Sequence, residues 1–97
     1  MTNLSALKLM QDSFDSMQRS GMMEDVVTVT PDTVILGSGS SLDSLGFVTF
    51  ISDLEERICA ESGMELYLVL TEIHDFNADQ AFLSTGTLAQ YIEKITA

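Results

Sequence analysis

The chain has 97 residues, with 15 acidic side chains against four basic ones and a formal net charge of −11. That balance excludes nucleic acid as a natural partner and disfavours anionic membrane surfaces, because both demand lysine and arginine. The length suits one domain spanning residues 1–97, and a hydrophobic content of 45% argues for a folded globule around one modest core.

Leu4, Leu7, Met10, Phe14 and Met17 recur at spacings of three or four, which predicts an amphipathic first helix from about Asn3 to about Ser20, with Gly21 as its C-cap. Residues 1–20 carry acids and no continuous apolar run, so no signal peptide is expected and the default location is cytoplasmic. A long connection follows over residues 22–43. Within it, the β-branched run Val26–Thr30 is able to pair as a short strand, Pro31-Asp32 marks a turn, and Val34-Ile35-Leu36 is expected to fold back into the core. Gly37-Ser38-Gly39-Ser40-Ser41 has the composition of a phosphate loop but lacks the lysine and the spacing of one, so its glycines serve better as a sharp turn.

The next helix is the centre of the chain. Phe47, Phe50, Ile51, Leu54 and Ile58 span an arc of roughly 100° and form its core stripe. Leu45 and Val48 project from a second side, near the angular position of Ser44. An apolar pair beside a serine points to contact with a partner or an attached apolar group. Ser44 itself admits two readings. It is an ordinary N-cap, or it carries a phosphate, which the free N–H groups and partial positive charge of a helix start would hold.

Cys59, the one cysteine, precludes an internal disulfide and reads as a small semi-buried residue. Gly63 is expected to end the central helix, and Glu65–Leu70 is extended or helical, the pattern allowing both. A short helix is predicted from Glu72 to about Phe82. Asp75-x-Asn77-x-Asp79 resembles the start of a calcium loop, but Gln80 stands where the glycine belongs and Gly86 where the bidentate glutamate belongs, so a solvated helix face is the better reading. His74, the only histidine, is read as a surface or partly buried residue. Ser84-Thr85-Gly86-Thr87 caps a last helix whose stripe is Leu88, Tyr91, Ile92 and Ile95, with Lys94 complementing its dipole. No apolar stretch approaches the length of a membrane span.

Leu42-Asp43-Ser44-Leu45, opening an apolar helix that continues into Leu54-Glu55-Glu56, resembles the acyl carrier protein family, and Leu88-Ala89-Gln90-Tyr91-Ile92 resembles that family's last helix. The resemblance implies that Ser44 bears a 4′-phosphopantetheine arm. It implies that the helix after it is the recognition helix, with Asp43, Leu45, Val48, Glu55 and Glu56 at partner-binding positions. Ser41-Leu42-Asp43 offers a second register, but it would place Glu55 where an apolar residue belongs. Gly46 and Thr49 stand where the family often has acids, and Ser52 where it often has a large apolar residue, which puts a fatty-acid synthase partner in doubt.

The expected architecture is therefore all-α. It is an acyl-carrier-like bundle of three main helices plus a short one, with a long loop between the first and second helices. The implied function is a monomeric carrier, not an enzyme in its own right. It would be loaded by a phosphopantetheinyl transferase and served by acyl- or aminoacyl-processing enzymes with basic docking patches, in a specialised pathway whose cargo the sequence leaves open. The alternative is an unmodified acidic adaptor that binds a basic partner through Leu45 and Val48.

Overall fold

The computed structural model describes residues 1–21, 27–37, 42–78 and 82–96, with Ser44 described through its backbone. Helix α1 runs over Asn3–Arg19, and the Thr2 side chain caps it by accepting from the Ser5 N–H at 3.1 Å. It buries Ala6, Met10, Ser13, Phe14 and Met17. The expected stripe is displaced at its start, because Leu4 is 79% exposed. Each step of three lags a full turn by about 60°, so Leu4 stands roughly 120° round the helix from Met10, and Ala6 takes the core position instead.

Helix α2 runs over Ser44–Ser62 and ends at Gly63, which adopts the left-handed region at φ 70. Phe47, Phe50, Ile51, Leu54 and Ile58 are all buried, as the spacing predicts. Phe50 stacks on Phe14 with ring centroids 4.6 Å apart and joins α2 to α1. Helix α3 spans Leu70–Phe76 and helix α4 spans Thr85–Ile95. Leu88, Tyr91 and Ile92 of α4 are buried together with Ala89, while Ile95 packs at the edge. Helix α1 packs against both α2 and α4, so the core lies among these three helices.

The chain is mainly helical but not all-α. Strand β1, Val34–Leu36, pairs antiparallel with strand β2, Leu83–Ser84, with Val34 opposite Ser84 and Leu36 opposite Leu83. Ile35 is fully buried, so this segment does anchor the first connection in the core. A buried extended segment needs partners for its backbone, and these lie just before α4. Further bonds continue the join: the N–H groups of Thr85 and Gly86 donate to Thr33 O and Pro31 O at 2.8 and 2.9 Å, and the Thr85 hydroxyl donates to Thr30 O.

The Val26–Thr30 run, able to pair as a strand, forms none over the described residues 27–30, and Val26 lies outside the described residues. A side chain takes the place of a neighbouring strand. Gln11 Nε2 donates to Val27 O and Gln11 Oε1 accepts from the Val29 N–H, both at 2.7 Å. Gln11→Ala is expected to cost about 2 kcal/mol by leaving two half-buried backbone groups unpaired. It should appear as a lower urea midpoint at unchanged slope.

The short helix starts and stops earlier than predicted. Asn77 is its C-cap, with its N–H donating to Ile73 O at 3.0 Å, and residues 79–81, which include most of the remaining predicted span, lie outside the described residues. Residues 65–69 are not helical. They run along α2, where Glu55 Oε2 accepts from the Leu68 N–H at 2.8 Å and the Cys59 thiol donates to Leu66 O at 3.2 Å.

Candidate functional site

The start of α2 is built around Asp43, not Ser44. Asp43 has extended backbone angles, its Oδ1 accepts from the Gly46 N–H at 2.6 Å, and its carbonyl accepts from the Phe47 N–H at 2.8 Å. Asp43 is therefore the N-cap and Ser44 is the first helical residue. The capping reading of Ser44 is overturned by this register. Aspartate and serine are about equally good caps, so the sequence pair Asp43-Ser44 did not say which would serve. Gly46 also has a local role: it is buried, and a Cβ there would stand 3.0 Å from the capping Asp43 Oδ1.

Beyond the cap, Leu45 is 70% and Val48 51% exposed. With Ser52 and Glu56, both exposed, they form one stripe at helical spacing. Ser44 and Val48 lie four residues apart, so the start of α2 adjoins this apolar pair. Glu55 also has a partner within the fold. Its Oε2 accepts from the Leu68 N–H and ties residues 65–69 to the helix, a role that its place among the acids did not reveal. Asp53 and Arg57 pair across one turn at 2.8 Å, which takes one of the four basic side chains out of play.

A cleft of about 250 Å³ opens one turn along α2 from Ser44. It is lined by Leu36 of β1, Phe47 of α2, Leu70, Ile73 and His74 of α3, and Leu83 of β2, with Asn77 and Phe82 at its edge. No periodicity could have collected these residues, because they come from separate elements brought together by the β1–β2 pairing. His74 is exposed at this cleft, and Asn77 Nδ2 donates to Phe82 O at 2.9 Å.

The other predicted positions stand apart from this cleft or lie outside the described residues. Cys59 is half-buried and engaged with the Leu66 backbone. The calcium-like run falls partly on Asp79 and Gln80, outside the described residues, and among the described residues no cluster of three or more His, Cys, Asp or Glu side chains is placed to hold a metal ion. Ser41 and the Gly-Ser run from residue 38 to residue 41 also lie outside the described residues. Among the described residues no helix is long and apolar enough to cross a membrane.

No family model, curated protein or solved structure matches this chain.

On the far side of α3, the Tyr91 hydroxyl of α4 donates to Glu72 Oε2 at 3.0 Å. Burial pushes the phenol up, and the hydrogen bond to Glu72 and its charge add to the effect, raising it from the usual 10 to about 12. A raised folded-state value means the contribution to stability is complete below pH 10 and is lost as the pH rises towards 12. The urea midpoint should show that loss in the wild type, and the loss should shrink in Tyr91→Phe.

Proposed function

We propose that this chain is a carrier protein that holds acyl or aminoacyl groups as thioesters on a 4′-phosphopantetheine arm attached to Ser44. The observation that carries the reading is the register at the start of α2. Asp43 does the capping, which leaves Ser44 at the first helical position without that structural duty, beside the exposed apolar pair Leu45 and Val48. The chain resembles the acyl carrier family at these same positions.

The residues present fit such an arm. The N-terminus of a 19-residue helix carries partial positive charge that suits a phosphodiester. The Asp43 carboxylate is turned onto the Gly46 N–H as the cap. During attachment Ser44 Oγ forms a bond to the phosphorus that links pantetheine to the nucleotide in coenzyme A. The nucleotide bisphosphate leaves with the electron pair of the broken P–O bond, and the hydroxyl proton passes to a base of the transferase. Once attached, the arm supplies a terminal thiol for the thioester. Leu45 and Val48 then give partner enzymes an apolar contact, and Glu56 and the acidic field of the chain steer partners with basic docking patches.

The test is the intact mass of the folded protein after incubation with coenzyme A, magnesium and a broad-specificity phosphopantetheinyl transferase. A gain of one phosphopantetheinyl group supports the proposal. No gain, with the native transferase tested as well, rejects it in favour of an unmodified adaptor that docks through Leu45 and Val48.

A further inference from the structure

We infer that residues 65–69 form an open strand edge that takes up an extended, basic segment of a partner protein. The extended character is local. Glu65, Tyr67 and Val69 are exposed, while Leu66 is half-buried and Leu68 buried. Exposure with a period of two belongs to extended chain. The Tyr67 hydroxyl donates to Glu65 Oε1 at 3.3 Å, which places these two side chains on one face, and Val69 has φ −87 and ψ 116.

One edge of this segment is already paired, with side chains of α2 standing in for a neighbouring strand. The Leu66 N–H donates to Cys59 Sγ at 3.4 Å, and the Leu66 carbonyl accepts from the same thiol at 3.2 Å. The Leu68 N–H donates to Glu55 Oε2 at 2.8 Å. In extended chain a residue turns its N–H and C=O to one side, and the next residue turns its own to the other. Leu66 and Leu68 face α2, so the backbone groups of Tyr67 and the N–H of Val69 face away from it.

Among the described residues, the Tyr67 N–H and C=O and the Val69 N–H have no hydrogen-bond partner. Tyr67 is 65% exposed. Such unpaired groups along an exposed edge are what an added strand takes up. The segment carries neither lysine nor proline, the residues that natural edges use against pairing.

Charge decides the occupant. A second copy of this chain would bring a net charge of −11 against the same charge, so two edges repel, whereas a basic segment is attracted. Laid along the edge, such a segment sets alternate side chains beside Glu65 and Tyr67 and the others beside Leu66. The first set suits lysine or arginine, which pair with the Glu65 carboxylate and lie over the Tyr67 ring. The second set suits apolar residues. The inference does not rest on the carrier reading, because the edge is the same whether or not Ser44 bears an arm.

The experiment titrates the unloaded, isotope-labelled chain with a peptide of about six residues that alternates lysine or arginine with valine. Two further forms carry N-methyl groups, one on its valines and the other on its basic residues, at unchanged charge. Amide shifts should appear at residues 65–69. One methylated form should bind like the parent and the other about twentyfold more weakly, because strand pairing uses the N–H groups of every second residue and that form has lost two of them. An analogue with glutamate for the basic residues should not bind. Tyr67→Pro removes a donor that no internal bond uses, and should bind the parent peptide about fivefold more weakly than Tyr67→Ala. The methylated peptides need no variant, so they decide the matter even where Tyr67→Pro fails to fold. The inference is overturned by a chain that no peptide shifts, by shifts at Leu45 and Val48 in place of residues 65–69, by equal binding of the two methylated forms, or by a glutamate analogue that binds as well as the parent. A folded Tyr67→Pro that binds like Tyr67→Ala also overturns it, as do shifts at residues 65–69 on concentrating the chain alone, which would make the occupant a second copy. Failure of loading at Ser44 would sink the carrier proposal and leave these outcomes unchanged.

Discussion

Ser44→Ala is expected to abolish phosphopantetheine incorporation completely while leaving the stability of the chain within about 0.5 kcal/mol of wild type. The two halves of that result have separate causes. Attachment needs a hydroxyl at the first position of α2, and alanine has none. The fold needs a cap at the preceding position, and Asp43 supplies it with a 2.6 Å bond to the Gly46 N–H. Alanine is also at ease inside a helix. The control is Asp43→Ala, which should cost about 1 kcal/mol because it removes the cap. Ser41→Ala should load like wild type. Loading that persists in Ser44→Ala and disappears in Ser41→Ala would move the attachment point to Ser41. A large stability loss in Ser44→Ala would mean that the serine has a structural duty after all.

Gly86→Ala is expected to destabilise the chain by about 3 kcal/mol and to lower its melting temperature by about 15 °C. The sign is the informative part. Glycine is a poor helix residue, so in an open first turn the same change would stabilise α4 by up to about 1 kcal/mol. Here a Cβ would stand 2.6 Å from the Pro31 carbonyl oxygen, the same oxygen that accepts from the Gly86 N–H at 2.9 Å. The contact is with backbone, which cannot swing aside as a flexible side chain would. Relief requires the loop around Pro31 to lift off α4, with loss of the bonds to Thr85 and Gly86. A neutral or stabilising Gly86→Ala in thermal unfolding would show that the loop does not lie this close.

The core of α2 was legible from sequence because one surface decides it. Five apolar residues repeat at helical spacing and all five are buried. The left-handed Gly63 and the Ser84 cap were legible for the same reason, since each is fixed by local backbone needs. What failed depended on partners distant in the chain. The Val26–Thr30 run has strand composition, but the neighbour it meets is the amide of Gln11, which no propensity encodes. Val34–Leu36 gained a strand partner in two residues before α4, so the all-α expectation missed the sheet. At the site, the exposed pair Leu45 and Val48 was legible as apolar residues off the core arc. Glu55 was not, because an acid that faces solvent and an acid that accepts from a backbone N–H thirteen residues away look alike in sequence. The cleft was illegible as a whole, since its lining joins α2, α3 and both strands.

The fastening of Thr30, Pro31 and Thr33 to Thr85 and Gly86 also orders events during synthesis. These bonds close a span of more than fifty residues, with 55 between Thr30 and Thr85, and long closures of that kind form after local ones. While the chain emerges from the ribosome, α1 and α2 meet across their stacked phenylalanines with only the first connection between them. Gln11 of α1 can already hold Val27 and Val29, but Thr30, Pro31 and Thr33 lack their partners Thr85 and Gly86 until the final helix has left the exit tunnel. Residues 30–33 therefore reach their folded place only once α4 has formed, and an enzyme that reads the finished fold meets it only after that late closure.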